Sequence, residues 1–233
     1  MLVLGVDSST DYLAVAVCDG PVVRAESTIL AERRHAERIV EVIDRTVSDA
    51  GTRLADLELL AVTVGPGSFT GLRIGVSTMK GLAAGAGLPL VGVSTLDAMT
   101  RQIDATDGLI CPLLDARMDE VYGAVYRYDA GRREIARAAT VGPVEMLLDG
   151  LERPVLVFGE GATAYAGRIA QCCPNYREAP AQLSHPRGSA VAQEALAAVA
   201  AGANADAALV RPVYLRQSQP EEARRRAREE ATA

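Results

Sequence analysis

An α/β chain built from two copies of one βββαβα unit is what this sequence predicts, and three observations carry the prediction. Strand-like runs and helical patterns follow one another in the same order twice. Asp7-x-x-x-Asp11 and Asp115-x-x-x-Asp119 fall at the same junction of first and second strand, 108 residues apart. Each copy also closes a later buried strand with Gly-x-Gly, at residues 65–67 and 159–161. One such coincidence is weak, but two in the same element order indicate a duplication, and the cleft between the copies is a natural ligand site.

Residues 2–7, 12–18 and 22–29 are short runs rich in β-branched side chains. Ser8-Ser9-Thr10-Asp11 and Asp19-Gly20-Pro21 separate them, so they read as a three-stranded meander. Residues 33–50 carry Ala36, Ile39, Val40, Ile43 and Val47 at helical spacing, which predicts one buried stripe closed by Gly51. A continuous apolar run over 57–64 predicts a strand covered on both faces. Residues 70–87 read as a helix of small residues, 89–93 as a strand, and Ser94 as the cap of a helix from Thr95 to about Ile103. The second copy places strands at 109–115, 120–128 and 134–141, with Asp129-Ala130-Gly131 as the hairpin turn. A helix follows Pro143, then come a strand at 155–158, a helix at 163–172 and a last helix at 189–201 closed by Gly202. The expected boundaries are a first half over 1–104, a second over 105–216, and a charged C-terminal tail over 217–233 that is expected to be mobile.

With 233 residues, 49% hydrophobic and 23% charged, the chain can bury a sizeable core, which excludes disorder over most of its length. A net charge of -6 argues against a protein that grips a phosphate backbone by itself. The four cysteines, Cys18, Cys111, Cys172 and Cys173, form no CxxC pair and read as free thiols. No basic stretch precedes the first apolar residues, Asp7 interrupts them, and no uncharged apolar run reaches about 18 residues. The expectation is a cytoplasmic protein with no membrane association.

Most catalytic constellations fail on arithmetic. The two histidines, His35 on the charged face of its helix and His185 beside Pro186, leave no nucleophilic triad. The Gly-x-Ser-x-Gly, P-loop and HExxH patterns are all missing. What remains is Asp7 with Ser8 and Ser9, matched by Asp115, where a carboxylate at a strand end can hold a cation while N–H and hydroxyl groups face a phosphate. The same residues serve equally well to satisfy their own tight turns. The strongest local signal is Gly65-Pro66-Gly67-Ser68-Phe69-Thr70-Gly71. Together with Gly71, Gly75, Gly81 and Gly85 along the helix, it points to something packing closely, whether a partner, another helix or the sheet beneath.

Leu4-Gly5-Val6-Asp7-Ser8-Ser9-Thr10, the Gly65-to-Gly75 loop and helix start, Gly92-Val93-Ser94-Thr95-Leu96, Asp115-Ala116-Arg117-Met118-Asp119-Glu120-Val121-Tyr122 and Pro212-Val213-Tyr214-Leu215-Arg216 together resemble the TsaB family, also called YeaZ. The resemblance runs from residue 4 to 216 in the family's order. It implies an actin-like, Hsp70-type ATPase fold of two RNase H-like halves. It also implies a non-catalytic subunit of the bacterial machinery that attaches threonylcarbamoyl to N6 of adenosine 37 in ANN-decoding tRNAs. TsaD is the transferase of that machinery and TsaE its ATPase. The implied partners are TsaD as a heterodimer, TsaE, tRNA through the complex, and a second copy when TsaD is absent.

On the same register the two metal-binding histidines of TsaD fall at Thr95 and Met99, which implies that no metal is held here. No cofactor is required on this reading. Any ATP or ADP is weakly bound or shared with partners, and the cleft near Asp7, Ser8, Ser9, Asp115, Gly159 and Gly161 is its expected place. An autonomous ATPase or kinase of this fold, and an RNase H-like nuclease, are the alternatives. The expected partner surface is the pair of long helices in the first half: His35, Ile39, Val42 and Thr46 as an outward stripe, with Gly71 and Gly75 as the close-approach residues of a four-helix seam.

Overall fold

The computed structural model describes residues 1–103, 107–151 and 154–216. The expected boundary at 104/105 and the expected tail 217–233 fall outside them.

In the first half, β1 (Leu2–Asp7), β2 (Tyr12–Asp19) and β3 (Val22–Leu30) form the antiparallel meander. Then follow α1 (His35–Asp49), β4 (Leu59–Gly65), α2 (Phe69–Ala86), β5 (Leu90–Ser94) and the short α3 (Thr95–Thr100). The strands lie in the order β3-β2-β1-β4-β5, with β4 parallel to β1 and β5 parallel to β4. The second half repeats this with β6 (Gly108–Arg117), β7 (Glu120–Asp129), β8 (Arg132–Gly142), α4 (Glu145–Leu148), β9 (Val155–Phe158), α5 (Glu160–Ala164), α6 (Ala166–Cys172) and β10 (Arg177–Glu178). Its order, β10-β9-β6-β7-β8, is the same topology read from the other edge. Two sheets of one topology establish the duplicated RNase H-like, actin-like arrangement. The two-residue β10 carries no pattern of its own and was not predicted, and a break at Tyr165 divides the helix expected over 163–172.

Each sheet is buried on both faces, as its near-continuous apolar strands require. On one face of the first sheet, Leu4, Val6, Val15 and Val62 meet Ile39, Val42, Ile43 and Val47 of α1 and Val76 and Met79 of α2. Each such burial contributes about 1.5–3 kcal/mol. The opposite face is covered by α7 (Gly188–Ala200), whose Val191, Ala192 and Ala195 pack on Val3, Ala16 and Ala61. The last helix therefore belongs to the first sheet's core although it follows the second half's strands. Gly5 and Gly188 permit this approach, since a Cβ on Gly5 would overlap the backbone of α7 and one on Gly188 would overlap the backbone of β2 at Val15 and Ala16. Helix α3 is wedged between the halves: Ala98 joins the first half's rear core, while Leu96 and Met99 pack with Ile110, Leu114 and Phe158 of the second sheet.

The stripe predicted for α1 is corrected by one helical face. His35, Ile39, Val42, Ile43, Thr46 and Val47 are buried, whereas Val40 is 60% exposed and Ala36 is also exposed. Ile39, Ile43 and Val47 of the expected core stripe are buried as read, and the core face extends from them to His35, Val42 and Thr46 in place of Ala36 and Val40. Thr46 and His35 take core positions because their polar atoms are satisfied inside: Thr46 Oγ1 donates to the Val42 carbonyl at 2.7 Å, and His35 Nε2 lies 3.2 Å from the Tyr12 carbonyl. His35, Ile39, Val42 and Thr46 consequently do not face outward as a partner stripe.

Candidate functional site

The β1–β2 turn is held from beneath. Asp7 is wholly buried, and its Oδ1 accepts hydrogen bonds from Ser9 Oγ and Thr63 Oγ1, both at 2.7 Å. Burial pushes its carboxyl above the ordinary aspartate range, and the bonds from Thr63 and Ser9 pull it back only in part. Ser8 is equally buried, with its Oγ donating to the Gly71 carbonyl at 2.9 Å. Gly71 and Gly75 are glycines because of this turn: a Cβ on the first would overlap the Ser8 carbonyl oxygen, and one on the second would overlap the Ser8 hydroxyl. Their close approach is to Ser8 in the chain's own β1–β2 turn and not to a partner. Gly81 and Gly85, farther along α2, face open space.

Above the turn lies a cavity of about 270 Å³ between the halves. Ser9, Thr10 and Asp11 line it from the first half with Ser68 and Phe69, and Asp115, Arg117 and Glu160 line it from the second. Asp115 Oδ1 accepts from the Arg117 amide at 2.8 Å and the Tyr165 hydroxyl at 2.9 Å, while Oδ2 pairs with the Arg117 guanidinium at 3.0 Å. Arg117 also reaches Asp11 across the cleft at 4.0 Å. Glu160 is pushed up to about 7, first by burial and then by the charges of Asp11 and Asp115, with Arg117 acting in the opposite direction.

The six residues expected around a nucleotide are thus divided. Ser9 and Asp115 line the cavity, whereas Asp7 and Ser8 lie buried in the turn. Gly159 and Gly161 pack on Leu113 of β6: a Cβ on Gly159 would overlap the Leu113 carbonyl, and one on Gly161 would lie 3.1 Å from Leu113 atoms. Their small size serves helix–strand contact. Sequence reasoning passed over Glu160, the side chain between those glycines, and Asp11, which the repeated Asp-x-x-x-Asp had already marked.

Thr95 and Met99 are both fully buried, and Met99 lies among the apolar side chains that join α3 to the second sheet. Among the described residues, no three histidine, cysteine, aspartate or glutamate side chains are grouped to hold a metal ion. Among them, too, no helix is long and apolar enough to cross a membrane.

The family described as "TsaD: tRNA N6-adenosine threonylcarbamoyltransferase" matches residues 28–223. The tRNA threonylcarbamoyladenosine biosynthesis protein TsaB of Bacillus subtilis is 33% identical over 177 residues, covering 72% of this chain and 75% of that protein. This chain belongs to the TsaB family. The TsaB of Escherichia coli is 40% identical over 131 residues, a stretch that spans about half of each protein (55% of this chain, 56% of the relative). The crystal structure titled "YeaZ from Pseudomonas aeruginosa" superposes with a TM-score of 0.79 at 27% identity, covering 92% of this chain and 99% of the other. The TsaB likeness therefore extends over both halves and the cleft between them.

Proposed function

We propose that this chain is a non-catalytic subunit in the threonylcarbamoylation of N6 of adenosine 37 in ANN-decoding tRNAs, working with the transferase TsaD and the ATPase TsaE. The observation that carries the reading is the burial of Thr95 and Met99. A thioether packed against Leu96 and Phe158, beside a hydroxyl sealed from solvent, offers a divalent metal neither a good ligand nor an approach. The transferase chemistry belongs, on this reading, to the partner.

The cleft supports the same division of labour. Among the described residues that line it, Asp11, Asp115 and Glu160 face one guanidinium, Arg117, so a polyphosphate entering the cavity meets more negative than positive charge from them. ATP or ADP binding by the lone chain is therefore weak or shared with partners, and neither an autonomous ATPase nor a nuclease is favoured by this geometry.

The partner surface is redrawn to the side of α1 and α2 that solvent reaches. Val40, Ile43, Val47, Leu54 and Leu82 line an apolar groove of about 550 Å³ there. This face is the one proposed to pair with TsaD, and with a second copy when TsaD is absent. Val40→Glu tests it, because its exposed side chain can take a charge with a folding cost within about 0.5 kcal/mol. Loss of the TsaD complex and of the homodimer by light scattering, at an unchanged melting temperature, is expected. Wild-type association of the variant overturns the surface. Modified nucleoside formed by this chain without TsaD, at a rate comparable to the complete system, overturns the functional reading.

A further inference from the structure

We propose that residues 205–216 form a strap that limits how far the two halves open, with Arg216 as its latch on the second half. The segment forms no regular helix or strand beyond a turn at 207–209, yet it is tied down along its length. The Leu90 amide donates to the Ala205 carbonyl at 3.0 Å. Lys80, the chain's only lysine, donates to the carbonyls of Ala208 at 3.3 Å and Val210 at 3.1 Å, and Val210 is buried in the first half's core. The Val213 amide donates to the Val64 carbonyl at 2.7 Å, and the absence of a side chain on Gly65 leaves room for the Val213 carbonyl. Tyr214 packs against Phe69 with the rings tilted by 31° and their centroids 4.7 Å apart, and its hydroxyl accepts from Arg73 Nε at 3.0 Å.

Two residues later the chain crosses to the other half. Arg216 donates to the Ala116 carbonyl at 2.9 Å and pairs with Glu120, and its side chain is only 14% exposed. Ala116 and Glu120 flank the β6–β7 turn, where Arg117, Met118 and Asp119 all hold positive φ, and Ala116 itself lines the cleft.

The halves are also joined near the other end of β6. There, Arg133 of the second half binds Glu194 of α7 at 2.7 Å and the Asp97 carbonyl of α3 at 3.0 Å, and Tyr126 donates to Asp97 Oδ1 at 2.7 Å. Tyr126 pairs with Ile110, so this junction and the Arg216 latch lie about 20 Å apart along the strand at about 3.3 Å per residue. A body attached at one end of a strand swings about that end; one attached at both ends does not. The Arg133 junction and the α3 core beside it form the pivot, and the strap, with the longer Arg117–Asp11 pair at 4.0 Å near the same end, is the attachment that limits the swing.

Hydrogen exchange of the full chain tests this through the amides of residues 113–122. Arg216→Ala is expected to lower their protection tenfold or more while the amides of α1 stay within twofold of wild type. Glu120→Gln, at a half-exposed position that folding tolerates, is expected to do the same, and the double variant no more than either single change. If Arg216→Ala does not fold, Glu120→Gln carries the test with the same thresholds. Wild-type protection of residues 113–122, an equal loss in α1, or additive losses in the double variant would each overturn the strap.

Discussion

Asp7 and Asp115 stand near the end of the first strand in two halves of one topology, and their surroundings have diverged completely. Asp7 is sealed under a loop, with two hydroxyls bound to one carboxylate oxygen. Asp115 stands at the cleft wall, held by Arg117 and Tyr165. The residue between the paired glycines repeats the contrast: Pro66 is buried in the first half, while Glu160 lines the cavity in the second. Duplication supplied equivalent positions, and the packing above each decided its use. In the first half α2 is drawn onto the strand end by Gly71 and Gly75, which closes the turn. In the second half the helix after β9 is short and leaves Asp115 in contact with the cavity.

The sharpest break of this comparison is at the glycines. Gly71→Ala forces a methyl group into the Ser8 carbonyl, so α2 must move off the sheet. A loss of about 3 kcal/mol or more is expected, at the upper end of overpacking costs. Gly161→Ala meets Leu113 atoms at 3.1 Å in an ordinary helical conformation, and alanine's better helix propensity offsets the crowding. Its cost is expected to stay below about 1 kcal/mol. Urea midpoints of the two variants at equal m-values check the difference; similar losses would mean that the two strand ends are packed alike.

The aspartates themselves come next. Asp7→Ala strips the acceptor from the hydroxyls of Ser9 and Thr63, and leaving buried donors unpaired is expected to cost about 2–3 kcal/mol, with Asp7→Asn recovering most of it. Asp115→Ala frees a largely exposed Arg117 and a tyrosine that water can reach, so a loss below about 1 kcal/mol is expected. Thermal melts of the three variants at pH 7 decide it, and equal losses for the two alanine variants would contradict the divergence of the halves.

The order of elements along the chain and the duplication were legible because a buried strand writes itself as an unbroken apolar run and the Asp and Gly-x-Gly marks recur at fixed places. The face of α1 was legible only in part: the pattern marks Ile39, Ile43 and Val47 as core and they are buried, while it sets His35, Val42 and Thr46 on an outward stripe. Thr46 and His35 belong to the core only because the Val42 and Tyr12 carbonyls receive them, a fact that no helical periodicity encodes. The roles of Gly71, Gly75, Gly159 and Gly161 were half legible: the spacing announced close approach but could not name Ser8 and Leu113 as what approaches. Nor could local pattern show that the last helix crosses back to the first sheet, since Ala-rich amphipathicity fits either one.

The remaining expected effect is one that pH switches on and off. Glu160 stands near 7 in the folded chain against an ordinary glutamate value of about 4.5, with burial as the leading cause and Asp11 and Asp115 adding to it. Between those two values the folded state holds a proton that the unfolded state has released, so stability falls as pH rises from about 4.5 to about 7 and is level above that. A shift of this size corresponds to about 3 kcal/mol, and the water retained by a partly buried carboxyl reduces the expected effect to about 1–2 kcal/mol. Glu160→Gln removes the penalty. At pH 8 the variant is expected to be more stable than the parent by that amount, and at pH 4 the two should coincide. The first half has Pro66 at this position and no counterpart of the effect, so the pH-dependent gain belongs to the second half's side of the cleft. Urea titrations at both pH values measure it, and a gain of equal size at pH 4 would show that glutamine acts by packing and that the carboxylates of the two halves do not meet across the cavity.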